Sequence, residues 1–117
     1  MNYEVFLKKG NKMHLDISKI IDELLETYLK RESLDAVGIN NGYCEDFACE
    51  LANIINTGIN VKTQEHANVY WDSDYCEMDI SHCFIEFNGL FYDSECNEGV
   101  LHPGDLPIYS RLQPVRL

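Results

Sequence analysis

Apolar residues recur along this chain with two periods, and the change from one to the other falls near residue 58. Between residues 14 and 33, Ile17, Ile20, Ile21, Leu24, Leu25, Tyr28 and Leu29 recur at helical spacing, which predicts an amphipathic helix starting near Asp16. The segment Val37-Gly38-Ile39-Asn40-Asn41-Gly42 is rich in residues that tolerate positive φ and reads as tight turns. A second helix is predicted over residues 43–56, closed by Thr57-Gly58. Along it Cys44, Ala48, Leu51 and Ile55 share one face, flanked by Phe47, Ala52 and Ile54.

The strand signals are shorter. Residues 3–7 read as a strand followed by a polar turn at 8–12, and 59–63, 67–71, 80–87 and 90–92 read as further strands. Asn88-Gly89 marks a two-residue hairpin turn, so Phe87 should face Leu90, Phe84 should face Asp93 and His82 should face Glu95. That register puts His82, Phe84, Asp93 and Glu95 on one side, with Cys83, Ile85, Phe87, Leu90 and Tyr92 on the other. Residues 72–79, with Asp72, Asp74, Glu77 and Asp79, read as an exposed acidic loop, and the last 20 residues as loop plus one edge strand or short turn. The expected fold is α+β: two N-terminal helices, the second carrying Cys44 at its N-terminus, packed on an antiparallel sheet in a single domain spanning 1–117.

Composition narrows the function classes. The 117 residues suffice to bury a core without disulfides or metal. Twenty Asp and Glu against nine Lys and Arg leave a formal net charge of -11, which repels nucleic-acid backbones and anionic lipid and fits a basic partner or neutral substrate better. No apolar run approaches the about 18 residues of a membrane span, and the N-terminus lacks the pattern of a signal peptide, so a cytoplasmic location is expected. Five cysteines at irregular spacing point to reduced thiols rather than a disulfide framework. With no C-x-x-C pair and no paired-knuckle spacing among Cys76, His82 and Cys83, neither metal nor cofactor is expected.

One cysteine stands apart. Cys44 lies where unpaired N–H groups and the positive end of a helix dipole favour a thiolate. A thiol nucleophile also needs an imidazole, and the imidazole needs an orienting group. His82 opens a strand, Asp93 lies diagonal to it across the predicted hairpin and Glu95 lies directly opposite, so either carboxylate could orient the ring. For an oxyanion hole the Cys44 N–H is the first donor, with Asn40, Asn41 or Tyr43 as candidates for the second. Tyr70, Trp71 and Tyr75 beside the acidic loop are candidate cleft residues, with core or hairpin packing as the alternative. A loop of that charge would select basic side chains. Asp46 reads as compensating the helix dipole, and His14, His66 and His102 as surface or loop residues.

The run Gly42-Tyr43-Cys44-Glu45-Asp46-Phe47-Ala48 resembles the G-x-C-x-D-F-A signature of transglutaminase-like proteins, which are similar in fold to papain-like cysteine proteases. Gly58-Ile59 resembles that family's connection into the sheet, and His82, a strand, a turn and Tyr92-Asp93 resemble its histidine and aspartate segments. The resemblance covers roughly residues 38–95 and departs at Cys83-Phe84, where Ala and Trp are frequent. It implies Cys44 as nucleophile, His82 as general base and acid, and Asp93 as orienting carboxylate. The chain is much shorter than full transglutaminases, which favours hydrolysis or deamidation over amine transfer. The expected function is a cysteine-dependent hydrolase, a peptidase, amidase or deamidase, passing through a thioester on a protein or peptide substrate. The alternative is an inactive acidic binding or inhibitor protein of the same fold that occupies a basic partner surface.

Overall fold

A computed structural model of the protein describes residues 16–58, 66–74 and 80–112. The elements expected at 3–7, 8–12 and 59–63, together with His14, Tyr75, Cys76, Glu77 and Asp79, lie outside the described residues.

Helix α1 spans Ile17–Glu32 and begins where Asp16 accepts the N–H of Lys19 at 3.1 Å, relieving one of the donors left open in a first turn. It stops where Ser33 takes a left-handed conformation, with φ 58°, and returns its N–H to the Leu29 carbonyl. Ile17, Ile20, Ile21, Leu24 and Tyr28 are buried along its inner face, whereas Leu29, expected on that face, is 56% exposed at the edge of the stripe.

The segment read as tight turns contains a third helix. Residues Ala36–Asn40 form the short α2, because Asp35 caps it by accepting the Gly38 N–H at 2.8 Å and Ile39 anchors it in the core. Turn chemistry is confined to Asn41-Gly42, where Gly42 has φ +145°. The cysteine therefore sits on the third described helix rather than the second. This helix, α3, runs Cys44–Gly58 and buries Cys44, Phe47, Ala48, Leu51, Ala52 and Ile55, while Glu45 and Asp46 in its first turn face solvent at the positive end of the dipole.

Strands β1 (Asn68–Trp71), β2 (Cys83–Phe87), β3 (Leu90–Asp93) and β4 (Cys96–Val100) form an antiparallel sheet in that order. Asn88 and Gly89 both have positive φ, at 53° and 83°, as a two-residue turn matched to strand twist requires. The turn sets Phe87 opposite Leu90, Glu86 opposite Phe91 and Ile85 opposite Tyr92. Cys83, Ile85, Phe87 and Tyr92 then belong to the core beneath the helices, with α3 lying across β1, β2 and β3. Helix α1 packs against α3 and β4. The protein is α+β.

The opposite face of the sheet carries Phe84 and Phe91, covered by Leu106, Ile108 and Tyr109. These come from a 3-10 turn at Pro103–Asp105 and a six-residue helix, α4, spanning Pro107–Leu112. Six residues are too few for a periodic pattern to be read, so α4 left no signal in the sequence. Two further expectations are corrected at the other end of the sheet. Asp72, read as part of an exposed loop, is buried in a 3-10 turn, and the strand expected from residue 80 starts only at Cys83. Residues 80–82 leave the sheet because the His82 N–H turns back to the Ile80 carbonyl at 3.0 Å. Among the described residues no helix is long and apolar enough to cross a membrane.

Leu51 is fully buried where α3 crosses the sheet, so Leu51→Ala should cost about 2–5 kcal/mol in urea denaturation through lost burial and the cavity left behind. Leu29→Ala, at an exposed position, should change stability by no more than about 0.5 kcal/mol.

Candidate active site

Three chain segments converge where α3 begins and β2 begins. Helix α3 delivers Cys44, which is 8% exposed; the loop before β2 delivers His82, fully buried; and the end of β3 delivers Asp93, 2% exposed. A buried imidazole and a buried carboxylate each lose hydration that only a partner can replace. Here His82 Nε2 lies 2.9 Å from Asp93 Oδ2, and in the neutral ring this assigns the proton to Nε2. Nδ1 is then the acceptor nitrogen, and it is buried without a hydrogen-bond partner.

The Cys44 Sγ donates to the Ser81 carbonyl at 3.8 Å, a weak contact of the neutral thiol with the residue preceding His82. Burial, the largest influence on this thiol, pushes it up. The His82 imidazole and the backbone N–H groups of Cys83 and Glu45 outweigh burial and leave Cys44 below the ordinary thiol value. The other described cysteines behave in the opposite way. Burial pushes Cys83 up to about 12, and Cys49 and Cys96 are also raised, first by burial. His82 shows the reciprocal effect: burial alone would lower it, but the Asp93 hydrogen bond and the Cys44 thiol reverse this and bring it up to about 9.

Comparison with protein-family models, curated proteins and solved structures returned no match.

The structure brings together some of the residues expected from sequence and separates others. Glu95 does not hydrogen-bond to His82. The hairpin pairing ends at Ile85 and Tyr92, and the chain turns at 94–95 into β4, which carries Glu95 away from the position opposite the histidine. Asn40 is no oxyanion donor in this geometry, because its Nδ2 is committed to Asp93 Oδ2 at 3.3 Å and to Glu95 Oε1 at 3.0 Å. Placed by α2, it bridges the two carboxylates. The Asn41 side chain faces solvent, and the Tyr43 N–H is taken by the Ile39 carbonyl at 2.7 Å. Tyr70 packs with the cluster containing Phe84 on the face away from α3, so it does not line a cleft at Cys44. Trp71 pairs with Cys83, shares its face of the sheet and is 38% exposed, which places its ring on the Cys44 side.

Two residues that hold the site were not expected. Asp72 donates its N–H to the His82 carbonyl at 2.8 Å, while its carboxylate accepts the Tyr109 hydroxyl at 2.7 Å and the Ile80 N–H at 3.4 Å. The second is Arg111, which pairs with Glu95. A signal for Arg111 was present: between Lys62 and Arg111 the chain contains no Lys or Arg, so Arg111 is the first cation available to the acidic groups of the sheet. Among the described residues no group of three metal-ligating side chains occurs.

Asp72→Ala leaves the Tyr109 hydroxyl without its buried acceptor and should destabilise the protein by about 1–3 kcal/mol in chemical denaturation. The raised His82 has a consequence for pH dependence. A group that binds its proton more tightly when folded stabilises fully below its unfolded value, about 6.5 for histidine, and loses that stabilisation as pH rises through the folded value of about 9. In Cys44→Ala protein, which removes the opposing thiol linkage but also one of the two groups that raise His82, the melting temperature should fall as pH rises above about 6.5, over a window that closes below the wild-type limit of about 9. The fall should flatten when Asp93→Asn is added.

Proposed function

We propose that the protein is a cysteine-dependent acyl hydrolase of papain-like, transglutaminase-like type, in which Cys44, His82 and Asp93 act as one unit. The observation that carries this reading is the asymmetry of the His82 ring. Nε2 is held by Asp93, Nδ1 is buried without a hydrogen-bond partner, and the ring acts on Cys44, which among the described cysteines is the one drawn below its ordinary value.

At neutral pH the lowered thiol and the raised imidazole favour transfer of the Cys44 proton to Nδ1, giving a thiolate and an imidazolium stabilised by Asp93. The thiolate attacks the carbonyl carbon of an amide, and the displaced electron pair goes to the carbonyl oxygen. The Cys44 N–H, in the first turn of α3 with no intrahelical acceptor, is a fixed donor for that charge. When the C–N bond breaks, the imidazolium gives its proton to the leaving nitrogen and a thioester remains. His82 then takes a proton from water as its oxygen attacks the thioester, releasing a carboxylic acid and restoring Cys44.

The substrate that fits is a protein or peptide with a basic side chain near the reacting amide. Exposed Glu45 and Asp46 flank Cys44 in the first turn of α3, and the whole chain carries a net charge of -11. Exposed Trp71 adds an apolar surface on the same face.

Iodoacetamide alkylation of Cys44 followed against pH should show a midpoint below the ordinary thiol value of about 8.5, while Cys49 follows a higher one. On a turned-over peptide amide, Cys44→Ala and His82→Ala should each lower kcat by about a thousandfold or more. The wild-type rate should fall as His82 loses its proton near pH 9. An ordinary Cys44 profile together with a salt-sensitive complex with a basic protein would instead support an acidic binding protein.

A further inference from the structure

We infer that Arg111, delivered by the C-terminal helix α4, is a positioning residue of the catalytic unit: it fixes Glu95, which with Asn40 holds Asp93 against His82. This rests on the reading of His82 and Asp93 as parts of one site and adds a chain segment that neither the cysteine motif nor the hairpin contains.

The connections are continuous. Arg111 pairs with Glu95 through Glu95 Oε2, leaving Oε1 to accept from Asn40 Nδ2 at 3.0 Å. The same Asn40 nitrogen donates to Asp93 Oδ2 at 3.3 Å, and that oxygen is the one facing His82 Nε2 at 2.9 Å. The turn carrying Glu95 is fastened twice more, by the Glu95 N–H to Asp93 Oδ1 at 2.9 Å and by the Ser94 hydroxyl to the Ala36 carbonyl at 2.7 Å. Asp93 is thus set by an amide and a turn whose outermost fastening is a guanidinium. Without that cation, Glu95 is a half-buried carboxylate with every reason to swing toward water. Asn40 would then lose the acceptor that orients its amide.

Helix α4 suits this task. Ile108 and Tyr109 on it, with Leu106 just before it, are buried against the sheet. The Tyr109 ring also meets the His82 ring edge-on, with centroids 6.0 Å apart, while its hydroxyl holds Asp72. One short helix therefore touches the histidine segment through Tyr109 and the aspartate turn through Arg111. The apolar anchors keep α4 seated, and the arginine side chain is a third exposed, so its removal leaves the fold intact.

The charges around His82 make the role separable from simple electrostatics. The titratable groups facing it are Asp93 from β3, Cys44 from α3 and Tyr109 from α4, with the apolar Phe84 ring from β2, Asp72 behind its backbone and Glu95 and Arg111 beyond Asp93. Deleting a cation from this set raises the affinity of His82 for its proton if charge alone matters. Loosening Asp93 lowers it. The two explanations predict opposite signs.

The test is the titration of His82 by NMR in full-length Cys44→Ala protein, with and without Arg111→Ala. The Cys44→Ala background keeps the result independent of whether Cys44 is a nucleophile. Arg111→Ala should move the His82 midpoint down by roughly one pH unit, a tenfold loss of imidazolium at a given high pH, and Arg111→Lys should recover part of the shift. A midpoint that rises or stays unchanged in Arg111→Ala overturns the inference. So does a fall that Arg111→Lys fails to recover at all. Failure of the hydrolase reading is recognised separately, by an ordinary alkylation profile of Cys44 in protein that retains Arg111.

Discussion

The buried contact between His82 and Asp93 is the constraint around which the rest of the site is arranged. Both side chains lie at or near zero exposure, where an unpaired charge is far more costly than at the surface, and the 2.9 Å contact gives each the partner it needs. Breaking it would leave a buried carboxylate facing a buried imidazole that no longer answers it. This explains why so many connections end on the two residues: Asn40 and the Glu95 N–H on Asp93, and the Asp72 N–H on the His82 carbonyl. A pair committed at Nε2 leaves the other ring nitrogen without a hydrogen-bond partner.

The fold divides the labour between the two faces of one sheet. On the helix side, the apolar stripe of α3 and the residues Cys83, Ile85 and Tyr92 make the core against which Cys44 is seated. On the other side, Phe84 and Phe91 meet Leu106, Ile108 and Tyr109, and this smaller cluster holds the segment that reaches His82 and Glu95. His82 belongs to neither strand face in the simple sense. It lies just before β2, at the end of the sheet, where the loop closed by Asp72 can turn its ring between the α3 terminus and the end of β3. The thiol and the carboxylate thus come together around one imidazole at the end of the two central strands.

Local chemistry was read well where it was strong. Asp16 and the α1 stripe, the burial of α3, and the register across Asn88-Gly89 all follow from periodicities and turn preferences contained within a few residues. The hairpin register put both Asp93 and Glu95 on the side of His82 and left the choice between them open, and the 2.9 Å contact goes to Asp93. Where the structure departs from the local pattern, the cause is a contact from a distant segment or a bend beyond the turn. Asp72 looked solvated because it stands among other acids, and only the distant Tyr109 hydroxyl makes its burial tolerable. Glu95 looked like a partner of His82 because the register was extended past the point where the chain bends into β4.

By itself, the sequence determined which cysteine begins a helix and the hairpin register that puts Asp93 and Glu95 on the side of His82. These are short-range consequences of helix and strand periodicity and of two residues that accept positive φ. Only the tertiary structure decided that His82 is sealed from water, that its Nδ1 is left unpartnered, that Asn40 serves two carboxylates, and that a helix near the C-terminus supplies the arginine behind them. Burial and hydrogen-bond partnership depend on atoms far apart in the chain, such as those of Asn40 and Glu95, 55 positions apart, and no local pattern carries that information.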